Sequence, residues 1–461
     1  MTFFVLDYAL TGFFAMLLVV GLRRPFFWVL AYLYIDIFQP QRLSYGLLSS
    51  AQPSLIAFIC AVLGWIALDR KVSNPPSGRQ MLIVALLVYC GITTQLAVFP
   101  TPAAEKWTWV WKSLLFAAFL PMTLGTRLRL ESAALVMVLS ASAAIIDGAV
   151  KTLAGGGGYA ELHLFVDNNT GIYEGSTLSC IAIAIIPLIL WLARSGTIMP
   201  PDKRVKLFAL ALVFACLLIP IGTATRTGLV CAGLLGVMML RSVKRRGLYV
   251  GLIAVGAVIA LPLLPAAYTQ RMNTIQNAQS DESAATRMAV WAWTIDYAKT
   301  HPFGGGFESY LADQLNIQLT DTSSSGSSTS VQVSQAHDQA RAFHSAYFEM
   351  LGEQGYPGLA LWLALQISGL VQLQKLRGKL RGSTDPDDIS DLGLATALQE
   401  GHIVYLLGAA FVGIAYQSFL YMLIGLEIAL VQQVRARRVQ SVRPLSKDSS
   451  VAATGLRTTP A

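Results

Sequence analysis

At 461 residues the chain is 54% hydrophobic and only 13% charged, against about 25% charged for an ordinary soluble protein. That deficit excludes the string of soluble domains the length would otherwise suggest. The net charge of +8 does not point to nucleic acid, because the basic residues are scattered through short loops instead of being gathered on one face.

Apolar stretches near the ~17–25 residues needed to cross a bilayer recur along the chain. In order they are 3–21, 25–39, 53–68, 81–98, 110–124, 133–150, 176–194, 207–223, 228–240, 248–265, 346–371, 401–416 and 418–434. The N-terminus lacks a charged region and a cleavage site, so it reads as a first span and not as a signal peptide. Cys60, Cys90, Cys180, Cys216 and Cys231 all fall inside apolar stretches, so no disulfide framework is expected. The expectation is an all-α, polytopic transmembrane helical bundle of about 12–13 spans. It divides into an N-terminal membrane bundle (1–265), a large outer loop with short helices (266–345), C-terminal membrane helices (346–434) and a flexible cytoplasmic tail (435–461).

Lys and Arg concentrate in one alternate set of loops, for example Arg23 and Arg24, Arg241 to Arg246, and Lys375 to Arg381. This places that set in the cytoplasm and residues 40–52, 99–109, 151–175 and 266–345 on the outer side. Within the large loop, residues 284–300 have Ala, Trp and Ile at helical spacing. His301-Pro302 stops that helix, and Gly304-Gly305-Gly306 follow as a turn. Residues 320–335 are Ser-rich and read as a mobile flap or disordered insert. The acidic run 384–391 reads as flexible cytoplasmic material.

Three residues on the outer side carry the candidate chemistry. His344 sits where the long loop re-enters the membrane, followed by Ser345 and then Gly355-Tyr356-Pro357-Gly358. A neutral imidazole there can accept a proton near pH 7; an interfacial histidine capping a helix is the plainer reading. Arg226, in Thr223-Ala-Thr-Arg-Thr227, lies between two apolar spans with no acidic neighbour. It is either a functional arginine near membrane depth or a snorkelling one. Arg287 opens the loop helix, with Trp291 and Trp293 after it; the helix either aims a second guanidinium at an anion or lies at the interface with its tryptophans at headgroup level.

Two arginines and one histidine on one side suit displacement of a diphosphate leaving group by a hydroxyl. Glu349 and Glu353 are candidates to orient His344, or plain helix-surface glutamates. Asp167-Asn168-Asn169 either lines the site or caps a helix. No metal or cofactor motif is present: Asp385-Pro-Asp387 falls in the acidic run on the other side. A metal-independent enzyme without cofactor is the expectation.

His344-Ser345-x9-Gly355-x-x-Gly358 resembles the signature of the O-antigen ligase and polymerase superfamily. Further stretches resemble the O-glycosylation ligases associated with exosortase A: Gln39 to Gly46, Asp167-Asn168-Asn169, Arg271 to Gln276, His301 to Glu308, and His344 to Glu353. The resemblance runs from about residue 3 to residue 371. It implies an inner-membrane enzyme, metal-independent and inverting, that transfers a glycan from undecaprenyl diphosphate to a hydroxyl on a protein, lipid or glycan at the periplasmic face. The superfamily's catalytic histidine falls on His344 and its diphosphate-binding arginines on Arg226 and Arg287; Asn168, Asn169, Ser345 and Glu349 are candidates for supporting roles beside them. Thr225-Arg226-Thr227-Gly228 departs from the Ser-Arg-Gly common in the subgroup. His337 competes with His344 but lacks the downstream glycines. A repeat-unit polymerase is the nearest alternative. A lipid-linked glycan transporter is a more distant one, disfavoured because no acidic residue stands out at mid-membrane.

Overall fold

The computed structural model describes residues 2–44, 46–69, 76–155, 171–242, 245–248, 251, 282–325 and 328–442. Across them the chain is an all-α bundle with one β-hairpin. Helix α1 (Thr2–Arg23) and α2 (Phe26–Phe38) lead through a 3-10 turn (Pro40–Arg42) and the single turn α3 (Leu47–Ser50) into α4 (Pro53–Ala67). Helix α5 (Gly78–Gln95) opens with a capping box between Ser77 and Gln80. Helix α6 (Pro100–Thr123) begins with Pro100, whose missing N–H costs nothing in a first turn. Residues 99–109, expected as an outer loop, are therefore mostly the opening of a helix. Helix α7 (Arg127–Leu153) is capped by Thr126.

Helices α8 (Gly175–Ala184) and α9 (Ile186–Ser195) form one membrane-length element with a joint at Ile185, two residues before Pro187. Then come α10 (Lys203–Gly222), α11 (Arg226–Ser242), α12 (Glu282–Thr300), the strands β1 (Gln314–Ser325) and β2 (Ser328–Gln339), α13 (Ala346–Leu380), α14 (Pro386–Ala409) and α15 (Ser418–Val442).

Among the described residues six segments are long and apolar enough to cross a membrane: Val5–Arg23, Arg127–Leu153, Gly175–Ser195, Lys203–Gly222, Ala346–Leu380 and Ser418–Val439. Helices α2 and α4 are apolar but shorter. The chain is thus a multi-pass membrane protein. Helix α15 is its central post: from Phe419 to Leu430 the apolar side chains are buried on every side, as befits a helix surrounded by others. It packs on α6, α7, α13 and α14. The apolar side chains left exposed, such as Val19, Leu63, Val88, Leu207 and Phe214, are the surface a lipid environment would cover.

Several expectations need correcting. The Ser-rich insert is a hairpin, paired from Gln314↔Gln339 to Ser325↔Ser328. Its apolar residues alternate (Leu315, Ile317, Leu319; Val331, Val333), the two-residue period of a strand, and the abundance of serine obscured that period. The acidic run 384–391 starts α14: Asp385 accepts from Asp387 N–H, and Asp387 and Asp388 sit in the first turn, where the helix dipole favours negative charge. Arg127 reaches Asp387 at 3.0 Å and Arg437 reaches Asp391 at 2.8 Å, so this segment is fastened down. The span expected at 401–416 belongs to α14, which ends at Ala409; residues 410–417 leave the helix. All but residues 248 and 251 of the span expected at 248–265, together with Asp167, Asn168, Asn169 and the stretch 271–276, lie outside the described residues.

Candidate functional site

The site is assembled where the loop after α12 meets a break in α13. Within α13, Gly355 adopts φ 63°, ψ −165°, open to glycine and costly for other residues. Two residues on, Pro357 has no N–H to give the Glu353 carbonyl. The break therefore frees two carbonyls. Gly305 N–H donates to Gly352 O (3.0 Å), Gly306 N–H donates to Glu353 O (2.9 Å), and Tyr356 N–H turns to Pro302 O (2.9 Å). Gly304 and Gly306 have φ of 88° and 80°; a Cβ on Gly304 would strike the Glu353 carbonyl, and one on Gly355 the Pro302 carbonyl. The three glycines and the Gly-Tyr-Pro-Gly stretch are thus two halves of one backbone joint. It sets the angle at which α12, and with it Arg287, stands over α13.

His344 follows from the same joint. Trp291 of α12 donates its indole N–H to Phe343 O (2.9 Å) and stacks on Phe348 with centroids 5.0 Å apart. Phe343 packs with Val290 and Leu315. Upstream, the buried Asp313 carboxylate accepts from Arg341 N–H at 3.1–3.2 Å. The strap so pinned carries Ala340 at φ 56° and His344 at φ 48°. Non-glycine residues held in this left-handed region are strained, and such strain gathers at functional sites.

The His344 side chain stays solvent-accessible, yet its pKa lies below the usual histidine value. Packing of protein around the ring is the largest cause, followed by the Arg287 guanidinium; Glu174 pulls the other way, and Arg341 adds a smaller push down. A lowered pKa keeps the imidazole neutral at pH 7, the form that accepts a proton.

Glu174 also stands beside the turn that leads into Arg226. It caps α8 by accepting from Ser176 N–H (3.0 Å) and Thr177 N–H (2.6 Å). The next residue, Gly175, lies against Thr223: a Cβ there would come within 3.3 Å of the threonine. Thr223, Thr225 and Ser179 form a buried hydroxyl triangle with sides of 2.8, 2.8 and 3.1 Å. The turn Thr223–Thr225, with Ala224 at φ 47°, hands directly to Arg226 at the start of α11. Gly228 leaves room for Pro220 and Ser179, which accounts locally for the Thr-Arg-Thr-Gly sequence. Both Arg226 and Arg287 are half-buried.

Of the other candidates, Ser345 is buried and its side chain does not cap α13. Glu349 does not orient His344. Its Oε1 takes Lys106 Nζ at 2.8 Å and its Oε2 accepts from Ala415 N–H at 2.9 Å. Among the described residues no three His, Cys, Asp or Glu side chains form a metal-binding group. Sequence reasoning missed Glu174, Arg341, Lys106 and Glu308. Glu174 was findable, as an acceptor directly before an apolar run; the others acquire meaning only through contacts distant in sequence.

A second polar cluster lies further along α13. Arg79, Glu427, His402 and Gln366 are all buried. Arg79 Nη2 is 2.6 Å from Glu427 Oε2; His402 Nδ1 is 2.7 Å from Glu427 Oε1, and His402 Nε2 is 2.9 Å from Gln366 Oε1. Glu427 is an acidic residue inside a membrane helix, which the sequence reading did not expect. Its oxygens are bound to Arg79 and His402, as suits a fixed cross-link between helices.

Comparison with known families divides the chain in two. Residues 210–363 match the family described as O-antigen ligase, and residues 5–197 match a family of unknown function (DUF5935). No curated protein matches the chain. The first match contains Arg226, Arg287, His344 and the Gly355 joint; Glu174 and Lys106 come from the second.

Proposed function

We propose, from the premise that the chain belongs to the O-antigen ligase superfamily through residues 210–363, that it is a ligase acting on undecaprenyl-diphosphate-linked glycan at the periplasmic face of the inner membrane. His344 takes the proton of the acceptor hydroxyl. The hydroxyl oxygen bonds to the anomeric carbon as the bond from that carbon to the diphosphate breaks, with inversion. Arg226 and Arg287 hold the departing diphosphate, whose two negative phosphate groups suit planar guanidinium donors. The observation that carries this reading is the strained, neutral-tending His344 with Arg287 beside it. Positive-inside charge bias supports the periplasmic side.

Replacing His344 by Ala in a deletion strain abolishes the glycan product while the protein still inserts in the membrane; full product formation in that strain would refute the assignment. Transfer is expected to continue in EDTA with purified enzyme, and strict loss restored by a divalent ion would count against a metal-free reaction. A polymerase uses the same donor chemistry; product ladders that remain on the polyprenyl carrier mark polymerisation, and glycan on a new acceptor marks ligation. The link to exosortase A rests on motif resemblance and is tested by whether exosortase and polysaccharide genes adjoin this one.

A further inference from the structure

Lys106 gathers three carboxylates beside the site. Its Nζ lies 2.8 Å from Glu349, 2.8 Å from Glu353 and 3.3 Å from Glu308. The lysine side chain is 10% exposed, Glu349 8% and Glu353 0%. The rings of Phe307 and Tyr416 close over it, with Nζ 5.7 and 5.1 Å from their centroids. The carboxylates come from two elements, Glu308 from the loop and Glu349 and Glu353 from the first turns of α13. Glu308 ends the glycine loop that follows α12, and its N–H donates to Glu353 Oε1 at 3.0 Å. Glu353 is the residue whose carbonyl the loop fills. Glu349, one turn into α13 after His344, holds Ala415 N–H in the break before α15; that break reaches the His344 backbone, for a Cβ on Gly413 would lie 3.6 Å from Glu349 Oε2 and 4.0 Å from His344 N.

Three carboxylates withdrawn from water repel one another strongly unless a cation sits among them. We propose that Lys106 is the positioning residue of the site: its ammonium holds the α12 loop, the His344 turn and the 410–417 break together, and so fixes Arg287 relative to His344. The proposal rests on the transferase reading for its effect on product, and on geometry alone for its effect on the loop.

The test uses the full chain in nanodiscs and in a deletion strain. Lys106→Met is expected to lower glycan product by roughly 30-fold, within the range that a small misplacement of reacting groups costs. It should also speed amide hydrogen exchange at Gly305, Gly306 and Glu308. Adding Glu353→Gln to Lys106→Met removes one of the stranded charges and should restore part of both losses. A lysine that matters only as packing gives no such restoration, and that result overturns the proposal, as does a Lys106→Met variant with normal product and exchange. Should Lys106→Met fail to accumulate, yield becomes the readout: Glu353→Gln raises it under the proposal and leaves it low otherwise. Full activity of His344→Ala would refute the transferase reading while leaving the exchange result to judge Lys106 separately.

Discussion

The two described histidines that neighbour α13 stand in opposite conditions. His344 is solvent-accessible, strained at φ 48°, and faces two guanidiniums and one carboxylate. His402 is fully buried, with Glu427 on one ring nitrogen and Gln366 on the other. The two sites are up to about 30 Å apart along the helix at 1.5 Å per residue. The charges accordingly do different work in the two places. In the sealed cluster a carboxylate answers the arginine and both imidazole nitrogens are occupied, so the groups hold helices together. Around His344 the Arg287 and Arg341 guanidiniums lower its pKa and Glu174 raises it, no described residue hydrogen-bonds the ring, and the backbone is held away from its preferred conformation. Such a site fits the anion binding and proton acceptance proposed for it.

Five single substitutions and one double variant test that contrast. The largest effect is expected at His344: Ala there should cost about 10²–10⁴-fold in transfer rate, the usual worth of a general base, with unchanged yield and melting temperature. At the sealed cluster the balance reverses. Glu427→Gln should leave Arg79 buried without its counter-charge and lower stability by about 3–5 kcal/mol, read by thermal unfolding in detergent. Arg79→Met combined with Glu427→Leu should recover most of that loss; no recovery would mean the pair does more than cancel charge.

Gly355→Ala comes next, at about 1–3 kcal/mol for a strained left-handed residue. Its signature is faster exchange at Gly305 and Gly306 and reduced product, and a variant with an intact loop would show that the joint tolerates a side chain. The smallest effects are on pH. Arg287 lowers the His344 pKa and Glu174 raises it. Since the base form exists above that pKa, Arg287→Gln should move the acid limb of the normalised rate profile to higher pH, and Glu174→Gln should move it lower. Shifts of the same sign in both variants would contradict the electrostatic picture of the site.

Sequence reasoning read the helices well wherever an apolar run stood between clear stops. The spans expected at 133–150 and 418–434 each fall inside a single helix, and that at 207–223 overruns α10 by one residue. It failed where one signal masked another. Residues 99–109 fall between two apolar stretches although Pro100 opens α6; serines hide the alternation of the hairpin; the aspartates of 384–391 resemble solvated loop although they cap a helix. At the site, His344, Arg226 and Arg287 were selected by their chemical type and their expected side of the membrane. Glu349, open in the sequence between orienting His344 and lying on the helix surface, has its carboxylate on Lys106 and the Ala415 N–H, partners distant in sequence.

Residue order alone determined that this is a multi-span helical protein, which stretches are apolar enough to be covered by lipid, and which few polar residues stand out against them. Those properties follow from local composition and period, and need no knowledge of distant contacts. Only the tertiary structure decided which charges meet. Lys106 is remote in sequence from the three glutamates it joins, Arg79 from Glu427, and Gly304 from the carbonyl it leaves room for. Buried charges must find partners and broken helices must have their carbonyls filled, but many partners would satisfy either demand, and the packing of the bundle selects one.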